Sequence, residues 1–206
     1  MARLWIIRPG ATDYEEQGRL RGRLDIPLSE GGRAEVLAMV ERMKQETSAP
    51  KAVYFSPCRP AAETAQLLGE ALSLKPRRLP ALQNFNYGLW QGMLIEDIKT
   101  RQPKVYRRWQ DQPEITCPPE GEMLDDARQR LREALARIAK KHHRSDDDIA
   151  LIVPEPLATL VHQMLAGDEL GDLWKSESRH GSYEIIDVPL AAFRPSSSFF
   201  AVWSFM

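Results

Sequence analysis

Three short apolar runs, each followed by a helical pattern, restrict the fold of this chain. Residues 4–7, 52–55 and 149–153 are nearly continuous apolar stretches, a pattern typical of strands buried on both faces. Helical patterns follow these runs at residues 29–43, 60–72 and 157–165. The alternation predicts an α/β fold with three layers, α/β/α, and a mostly parallel central sheet.

The helix predicted after the first strand has recognisable start and packing signals. Ser29 is its expected N-cap, and Val36, Leu37, Val40 and Met43 form its expected buried stripe. Residues 122–141 form a longer amphipathic helix. Its expected buried positions are Leu124, Ala127, Leu131, Leu135 and Ile138. Residues 183–188 and 199–203 are predicted as the last strands.

The chain has no internal repeat and no linker long enough to divide it, so residues 1–206 are expected to form one domain. The proline-rich stretch at about residues 76–121 interrupts the strand–helix alternation. We expect loops and short helices there, packed over one edge of the sheet.

Composition narrows the class of protein. The formal net charge of −1 gives no sign of a nucleic-acid or membrane partner, and no apolar stretch approaches the ~18 residues of a membrane span. Cys58 and Cys117 form neither a disulfide framework nor metal-ligand spacing. With no signal peptide at the start, we expect a cytoplasmic protein without cofactor or metal. Residues 199–205 are expected to dock on the core, with an exposed interaction patch as the alternative.

Four segments carry a resemblance to a known family. Three of them lie beyond the carboxyl ends of predicted strands, where an open α/β sheet binds its ligands. Residues 8–12 read Arg-Pro-Gly-Ala-Thr, residues 56–65 read Ser-Pro-Cys-Arg-Pro-Ala-Ala-Glu-Thr-Ala, and residues 154–156 read Pro-Glu-Pro. Residues 82–92 read Leu-Gln-Asn-Phe-Asn-Tyr-Gly-Leu-Trp-Gln-Gly. Together they resemble the histidine phosphatase superfamily, whose members are phosphoglycerate mutase-like.

The resemblance implies a phosphate pocket without its catalytic groups. In the family, the residue after the first arginine is a histidine that attacks phosphorus, and here it is Pro9. A proline peptide nitrogen has no lone pair to offer as a nucleophile. The proton-donating glutamate falls on Asn84, whose amide cannot deliver a proton. The second histidine falls on Pro154 or on Glu155, depending on a shift of one residue.

The resemblance also implies a ligand-binding set, namely Arg8, Gly10, Thr12 and Arg59. Arg59 would be a second phosphate clamp at a helix start. The alternatives are an ordinary turn at residues 8–12 and a surface arginine at position 59. Another alternative is that Glu15 and Glu155 neutralise the arginines and leave a structural cluster of ion pairs.

The four histidines do not replace the missing one. His142 and His143 belong to a charged stretch that, with residues 146–148, is expected to be solvated. His162 lies about 12 Å along its helix from Pro154. The triplet containing His180 matches the family sequence Arg-His-Gly but does not follow an apolar strand.

The sequence therefore predicts a catalytically inactive histidine phosphatase-like protein, a pseudoenzyme. Its partner is expected to be a small phosphorylated or anionic ligand or a protein. The alternatives are an active phosphatase or phosphomutase with a rearranged nucleophile, and a structural or scaffolding protein.

Overall fold

A five-stranded sheet with strand order β3-β2-β4-β1-β5 forms the centre of the computed structural model, which describes residues 3–187. The strands are β1 (Arg3–Arg8), β2 (Ala52–Phe55), β3 (Arg77–Arg78), β4 (Ile149–Ile152) and β5 (Ser182–Asp187). All neighbouring pairs are parallel except β1 and β5. The predicted mostly parallel sheet is confirmed, and the strand predicted at residues 199–203 lies outside the described residues.

Helices connect the strands. They are α1 (Asp13–Glu16), α2 (Glu30–Met43), α3 (Arg59–Leu72), α4 (Ile95–Arg101), α5 (Pro103–Asp111), α6 (Leu124–His142), α7 (Leu157–Ala166) and α8 (Leu173–Ser176). Within residues 3–187, three short 3-10 helices lie at Pro80–Leu82, Gly88–Trp90 and Pro113–Ile115.

Alternating side chains of the central strands enter two separate cores. Leu4 and Ile6 of β1 pack with α6 and α7 in one core. Trp5 and Ile7 pack with α2 and α3 in the other. Because strand side chains alternate between the two faces of a sheet, each central strand serves both cores. The predicted three-layer α/β/α architecture is confirmed.

The start of α2 agrees with the sequence, whereas one of its buried positions does not. The Ser29 hydroxyl accepts a hydrogen bond from the Gly32 N–H at 2.8 Å, as predicted for an N-cap. Leu37 was predicted to be buried, but 49% of it is exposed. Met39 is buried in its place, because the stripe facing the sheet follows the three- and four-residue spacing from Val36.

The prediction for Asp148 was also wrong. It was predicted to be solvated with its acidic neighbours, yet it is buried. Its carboxylate accepts hydrogen bonds from the Arg3 N–H at 3.1 Å and the Trp5 Nε1–H at 3.1 Å. Asp148 therefore ties the beginning of β1 to the segment that enters β4. Every expected buried position of α6 is confirmed.

The proline-rich stretch supplies much of a buried aromatic cluster on the α6–α7 side of the sheet. The cluster comprises Phe85, Tyr87, Trp90, Trp109 and Trp174. The Phe85 and Tyr87 ring centroids lie 4.9 Å apart. From this cluster, the hydroxyl of Tyr87 donates a hydrogen bond to a buried carboxyl group described below.

Candidate functional site

The candidate site lies where the parallel strands end. β1 ends at Arg8 and the segment after β4 carries Glu155, so both reach the same edge of the sheet. The antiparallel β5 begins there, with Ser182 opposite Arg8 and Glu184 opposite Ile6. Because side chains two residues apart share a face, Arg8 and Glu184 lie on the same face of the sheet.

Arg8 is buried and bound by two carboxylates of this chain. Its Nε lies 2.5 Å from Glu155 Oε1, and its Nη2 lies 2.9 Å from Glu184 Oε1. Burial lowers the pKa of the guanidinium, but attraction to Glu155 and Glu184 outweighs burial and leaves the pKa above its ordinary value. The other Glu155 oxygen, Oε2, accepts from the Thr159 N–H in α7 at 3.1 Å. Arg8 thus joins β1 to α7 and β5.

The backbone N–H groups that follow Arg8 are also occupied. The Gly10 N–H faces the Thr64 hydroxyl at 3.4 Å, and the Ala11 N–H donates to Glu35 at 3.1 Å. The Thr12 N–H donates to Glu15 at 2.9 Å, and Thr12 caps α1. Gly10 and Thr12 were expected to bind ligand, and the structure places both in contacts within the chain.

Arg21 is a buried cation to which the sequence assigned no role. It is 1% exposed, and its Nε lies 3.1 Å from Glu15 Oε1. Burial raises the pKa of Glu15, but attraction to Arg21 and to His180 outweighs burial and lowers that pKa overall. A match to the family around residues 18–22 was the available signal, although it carried no information on the partner of Arg21. Glu15, which the sequence named as a residue that could neutralise an arginine, is the partner of Arg21.

Glu177 is a fully buried carboxyl that the sequence gave no reason to select. One of its oxygens, Oε1, lies 2.6 Å from the hydroxyl of Tyr87. Burial, reinforced by Glu15 and Glu155, raises the pKa of Glu177 to about 8, against the opposing effects of Tyr87 and Arg21. The carboxyl is therefore mostly protonated at neutral pH. Its polar surroundings in sequence, residues 175–178, are typical of an exposed turn.

Arg59 lies at the surface. Its side chain is 53% exposed, and its Nε lies 2.9 Å from Glu63 Oε1 one turn along α3. The Arg59 N–H donates to Asp25 at 3.1 Å. Pro60, the next residue, is buried. Arg59 is not among the residues that line the cavity beside Arg8.

The three positions expected to lack catalytic groups are all buried. The Pro9 carbonyl accepts from the Gly181 N–H at 2.8 Å, and the Pro154 carbonyl accepts from the Ala158 N–H at 3.1 Å. The Asn84 amide donates to the Gly22 carbonyl at 2.9 Å. Among the described residues, the Asn84 Oδ1 has no hydrogen-bond partner.

Two histidines lie nearer to functional groups than the sequence indicated. His162 Nε2 lies 3.2 Å from Asp168 Oδ2, and its Nδ1 lies 2.8 Å from Glu184 Oε2 without the direction of a hydrogen bond. His180 precedes β5, next to the Gly181 N–H that binds Pro9, and interacts electrostatically with Glu15.

His142 was expected to be solvated together with His143, and the prediction was wrong for His142. Its ring nitrogen Nε2 lies 3.0 Å from the Tyr54 hydroxyl, and the residue is half-buried. His143 is exposed, as expected. Because Tyr54 is buried in β2, His142 joins the C-terminal end of α6 to the sheet.

A cavity of about 230 Å³ opens beside Arg8. Its walls include Thr159 and His162 of α7, Asp168 and Asp172 of the following segment, and Glu184 of β5. Within residues 3–187, no group of three or more His, Cys, Asp or Glu side chains is placed to hold a metal ion. No helix in the same part of the chain is both long and apolar enough to cross a membrane.

The family model and the similar proteins described next agree on one family. Residues 4–194 match the family described as histidine phosphatase superfamily (branch 1). The chain is 25% identical over 186 residues to phosphoserine phosphatase 1 of Hydrogenobacter thermophilus, covering 90% of this chain and 86% of that protein. It is 34% identical over 136 residues to a bifunctional protein of Mycobacterium tuberculosis, covering 66% of this chain but only 37% of that protein.

Among solved structures, the chain is similar to mycobacterial glucosyl-3-phosphoglycerate phosphatase in complex with VO3. The TM-score is 0.77 at 26% sequence identity, and the match covers 91% of this chain and 93% of the other.

Proposed function

Because the chain belongs to the histidine phosphatase superfamily while its buried arginines are bound to its own carboxylates, we propose that it is a non-catalytic member, a pseudoenzyme that acts by binding. The Arg8–Glu155 pair carries this proposal. A guanidinium that already has two carboxylate acceptors gains little from a phosphate, because the phosphate would have to displace buried ion pairs.

The residues at the expected reaction centre support the same conclusion. Pro9 offers no nucleophile, and Asn84 offers no acidic proton. Neither Pro154 nor Glu155 can supply an imidazole to a transferring phosphoryl group. The N–H groups at positions 11 and 12 donate to carboxylates, so they do not offer an anion a free set of donors. These observations support a pocket that keeps the scaffold of the family while its buried arginines are paired with carboxylates of this chain.

An active phosphatase is the second candidate, and two observations favour it. Relatives of this chain are named as phosphatases. In addition, the hydrogen bond from Gly181 to Pro9 holds the neighbouring His180 close to the end of β1. An imidazole supplied from the entry to β5 would then take the role of the missing nucleophile.

An activity assay separates the two candidates. Wild type and His180→Asn are incubated with p-nitrophenyl phosphate and with phosphoserine, with the H. thermophilus phosphatase as the positive control. We expect both forms to stay at the level of the buffer blank. Turnover by wild type that His180→Asn abolishes would refute the pseudoenzyme and establish the second candidate.

The ion pair itself can be tested by stability. Arg8→Met leaves Glu155 buried without its partner, so we expect a loss of roughly 3–5 kcal/mol in the free energy of unfolding. Arg8→Met combined with Glu155→Met should recover much of that loss. Arg59→Met, which removes an exposed pair, should change stability by less than about 1 kcal/mol. The proposal fails if Arg8→Met keeps wild-type stability and instead abolishes binding of inorganic phosphate.

A further inference from the structure

Two runs of basic residues, distant in the sequence, meet near one edge of the sheet. One run is residues 75–78 around β3, and the other is residues 137–144 at the end of α6. Neither run contains an aspartate or a glutamate, and their lysines and arginines are exposed. β3 and β5 are opposite edges of the sheet. This place is therefore separate from the pocket at Arg8, whose partner Glu184 lies in β5.

The buried side chain of Tyr54 in β2 connects the two runs. Tyr54 is paired in register with Arg77 of β3, so both side chains leave the sheet on the same face. The Tyr54 hydroxyl oxygen lies 3.0 Å from His142 Nε2 and 3.5 Å from Arg77 Nη1. Lys141 Nζ lies 5.9 Å from the centroid of the Tyr54 ring. These four residues together are the Tyr54 site.

The cations of the Tyr54 site have no carboxylate bound to them. In the described part of the chain, neither Arg77 nor Lys141 forms an ion pair. Burial, Lys141 and Arg77 lower the pKa of His142 below its ordinary value, against the opposing effect of Asp147. Asp147 thus offsets the repulsion among these groups only in part, and an anion placed between them would relieve it.

The helix dipole accounts for only one of the two runs. Cations at a helix C-terminus interact favourably with the dipole, which explains Lys140 and Lys141 at the end of α6. Arg77 and Arg78 belong to a strand, so the dipole gives no reason for their charge. The convergence of strand and helix cations on one tyrosine is instead typical of a binding site for an anion.

The distribution of charge favours a small anion over a long polyanion. Three cationic side chains lie around a single residue, which suits one or two adjacent phosphate groups. The net charge of the chain is −1, so the basic runs are balanced by acidic residues elsewhere. Those residues would repel a polyanion that extends beyond the site. Arg77 contributes a planar fork that matches phosphate oxygens, and Lys141 contributes a point charge.

We infer that the Tyr54 site binds a small anion that carries phosphate groups, with Arg77 and Lys141 as its main cationic contacts. The inference goes beyond the proposed function, because none of these residues belongs to the pocket at Arg8.

The contact between Tyr54 and His142 makes this binding depend on pH. Neutral His142 accepts the hydrogen of the Tyr54 hydroxyl. Protonated His142 donates to the Tyr54 oxygen instead, and the hydroxyl hydrogen becomes available to the anion. The anion also stabilises the charge of the imidazolium. Binding is therefore accompanied by proton uptake on His142.

Titration calorimetry of the full chain with sodium pyrophosphate tests the site. We expect saturable binding at low ionic strength. Arg77→Gln removes an exposed cation and should weaken binding about tenfold. Arg107→Gln, the same change at an exposed position of α5, is the matched control and should leave binding unchanged.

Nuclear magnetic resonance of the histidine rings tests the location. Pyrophosphate should raise the pKa of His142 by about one unit, because an anion beside the ring favours its charged form. The pKa of His162, which lies beside the cavity at Arg8, should stay as it is without pyrophosphate. A shift of His162 without a shift of His142 would place the anion in the other pocket and overturn the inference.

Three further outcomes would overturn it: no saturable binding of pyrophosphate, binding that Arg77→Gln leaves at wild-type strength, or displacement of pyrophosphate by a single-stranded oligonucleotide that binds more tightly. The last result would identify an extended polyanion as the partner. The p-nitrophenyl phosphate assay does not involve the Tyr54 site, so its result leaves this inference unchanged, and loss of the inference leaves the proposed function unchanged.

Discussion

The buried positive charge of Arg8 requires carboxylates around it. A buried guanidinium needs acceptors, since an unpaired charge of this kind is strongly destabilising. Glu155 and Glu184 supply them. The sequence named Glu155 as a neutralising candidate because it follows a predicted strand. It could not name Glu184, because that contact depends on the register of β5 against β1.

Glu177 makes stability depend on pH near neutrality. Its pKa rises from an ordinary 4.5 to about 8 on folding. Between these values the unfolded chain releases the proton while the folded chain keeps it, so stability falls as pH rises, by at most about 1.4 kcal/mol per pH unit. Above pH 8 this contribution no longer changes. We expect wild type to lose stability from pH 6 to pH 8, and Glu177→Gln to lose less.

Urea unfolding at pH 6, 7 and 8 measures this effect. Glutamine keeps an oxygen that can accept from Tyr87, so the variant isolates the ionisation. Glu70→Gln, at an exposed position, serves as the control and should follow wild type. Equal slopes for wild type and Glu177→Gln would refute the assignment.

At the scale of strands and helices, the sequence predicted those elements that a local residue pattern determines. The apolar runs located β1, β2 and β4, and the Ser29 N-cap located the start of α2. The four residues of α8 escaped prediction. They carry no periodic stripe, and a helix this short depends on tertiary contacts for its stability. Glu177 directly follows α8, so a helix that the sequence did not predict positions this buried carboxyl.

The approach of the β1 end to α2 depends on glycine. A Cβ on Gly32 would lie 2.0 Å from the Ala11 carbonyl oxygen, and a Cβ on Gly10 would lie 2.1 Å from the Gly32 carbonyl oxygen. Both obstacles are backbone atoms, so the two elements would have to move apart. We expect Gly32→Ala to cost about 3 kcal/mol or more in the free energy of unfolding.

Gly31→Ala is a matched control in the same helical turn. Its Cβ would meet the end of the Glu16 side chain, which can move, and alanine favours the helix. Chemical denaturation should therefore show a change below about 1 kcal/mol for Gly31→Ala. Similar costs for the two variants would mean that the close approach does not limit packing.

In the molecule as a whole, the sheet couples the two cores. Trp5 and Ile7 face the α2–α3 side, while Leu4 and Ile6 of the same strand face the α6–α7 side. Loss of one core exposes the strands that the other core needs. We expect a single unfolding transition, because the two cores share the same strands.

Two probes test this coupling. In a variant with Trp5→Phe and Trp203→Phe, tryptophan fluorescence reports on Trp90, Trp109 and Trp174, which lie on the α6–α7 side. Far-ultraviolet circular dichroism reports on all helices. The two urea midpoints should coincide. Separate midpoints would show that the layers unfold independently.

The edge strand β3 has a consequence for self-association. A free sheet edge is a template on which another chain can add a strand and begin to aggregate. β3 is only two residues long, and both residues, Arg77 and Arg78, are exposed arginines. An incoming strand would find few backbone groups to pair with and two positive charges to approach. The short strand thus protects this edge of the sheet against uncontrolled polymerisation.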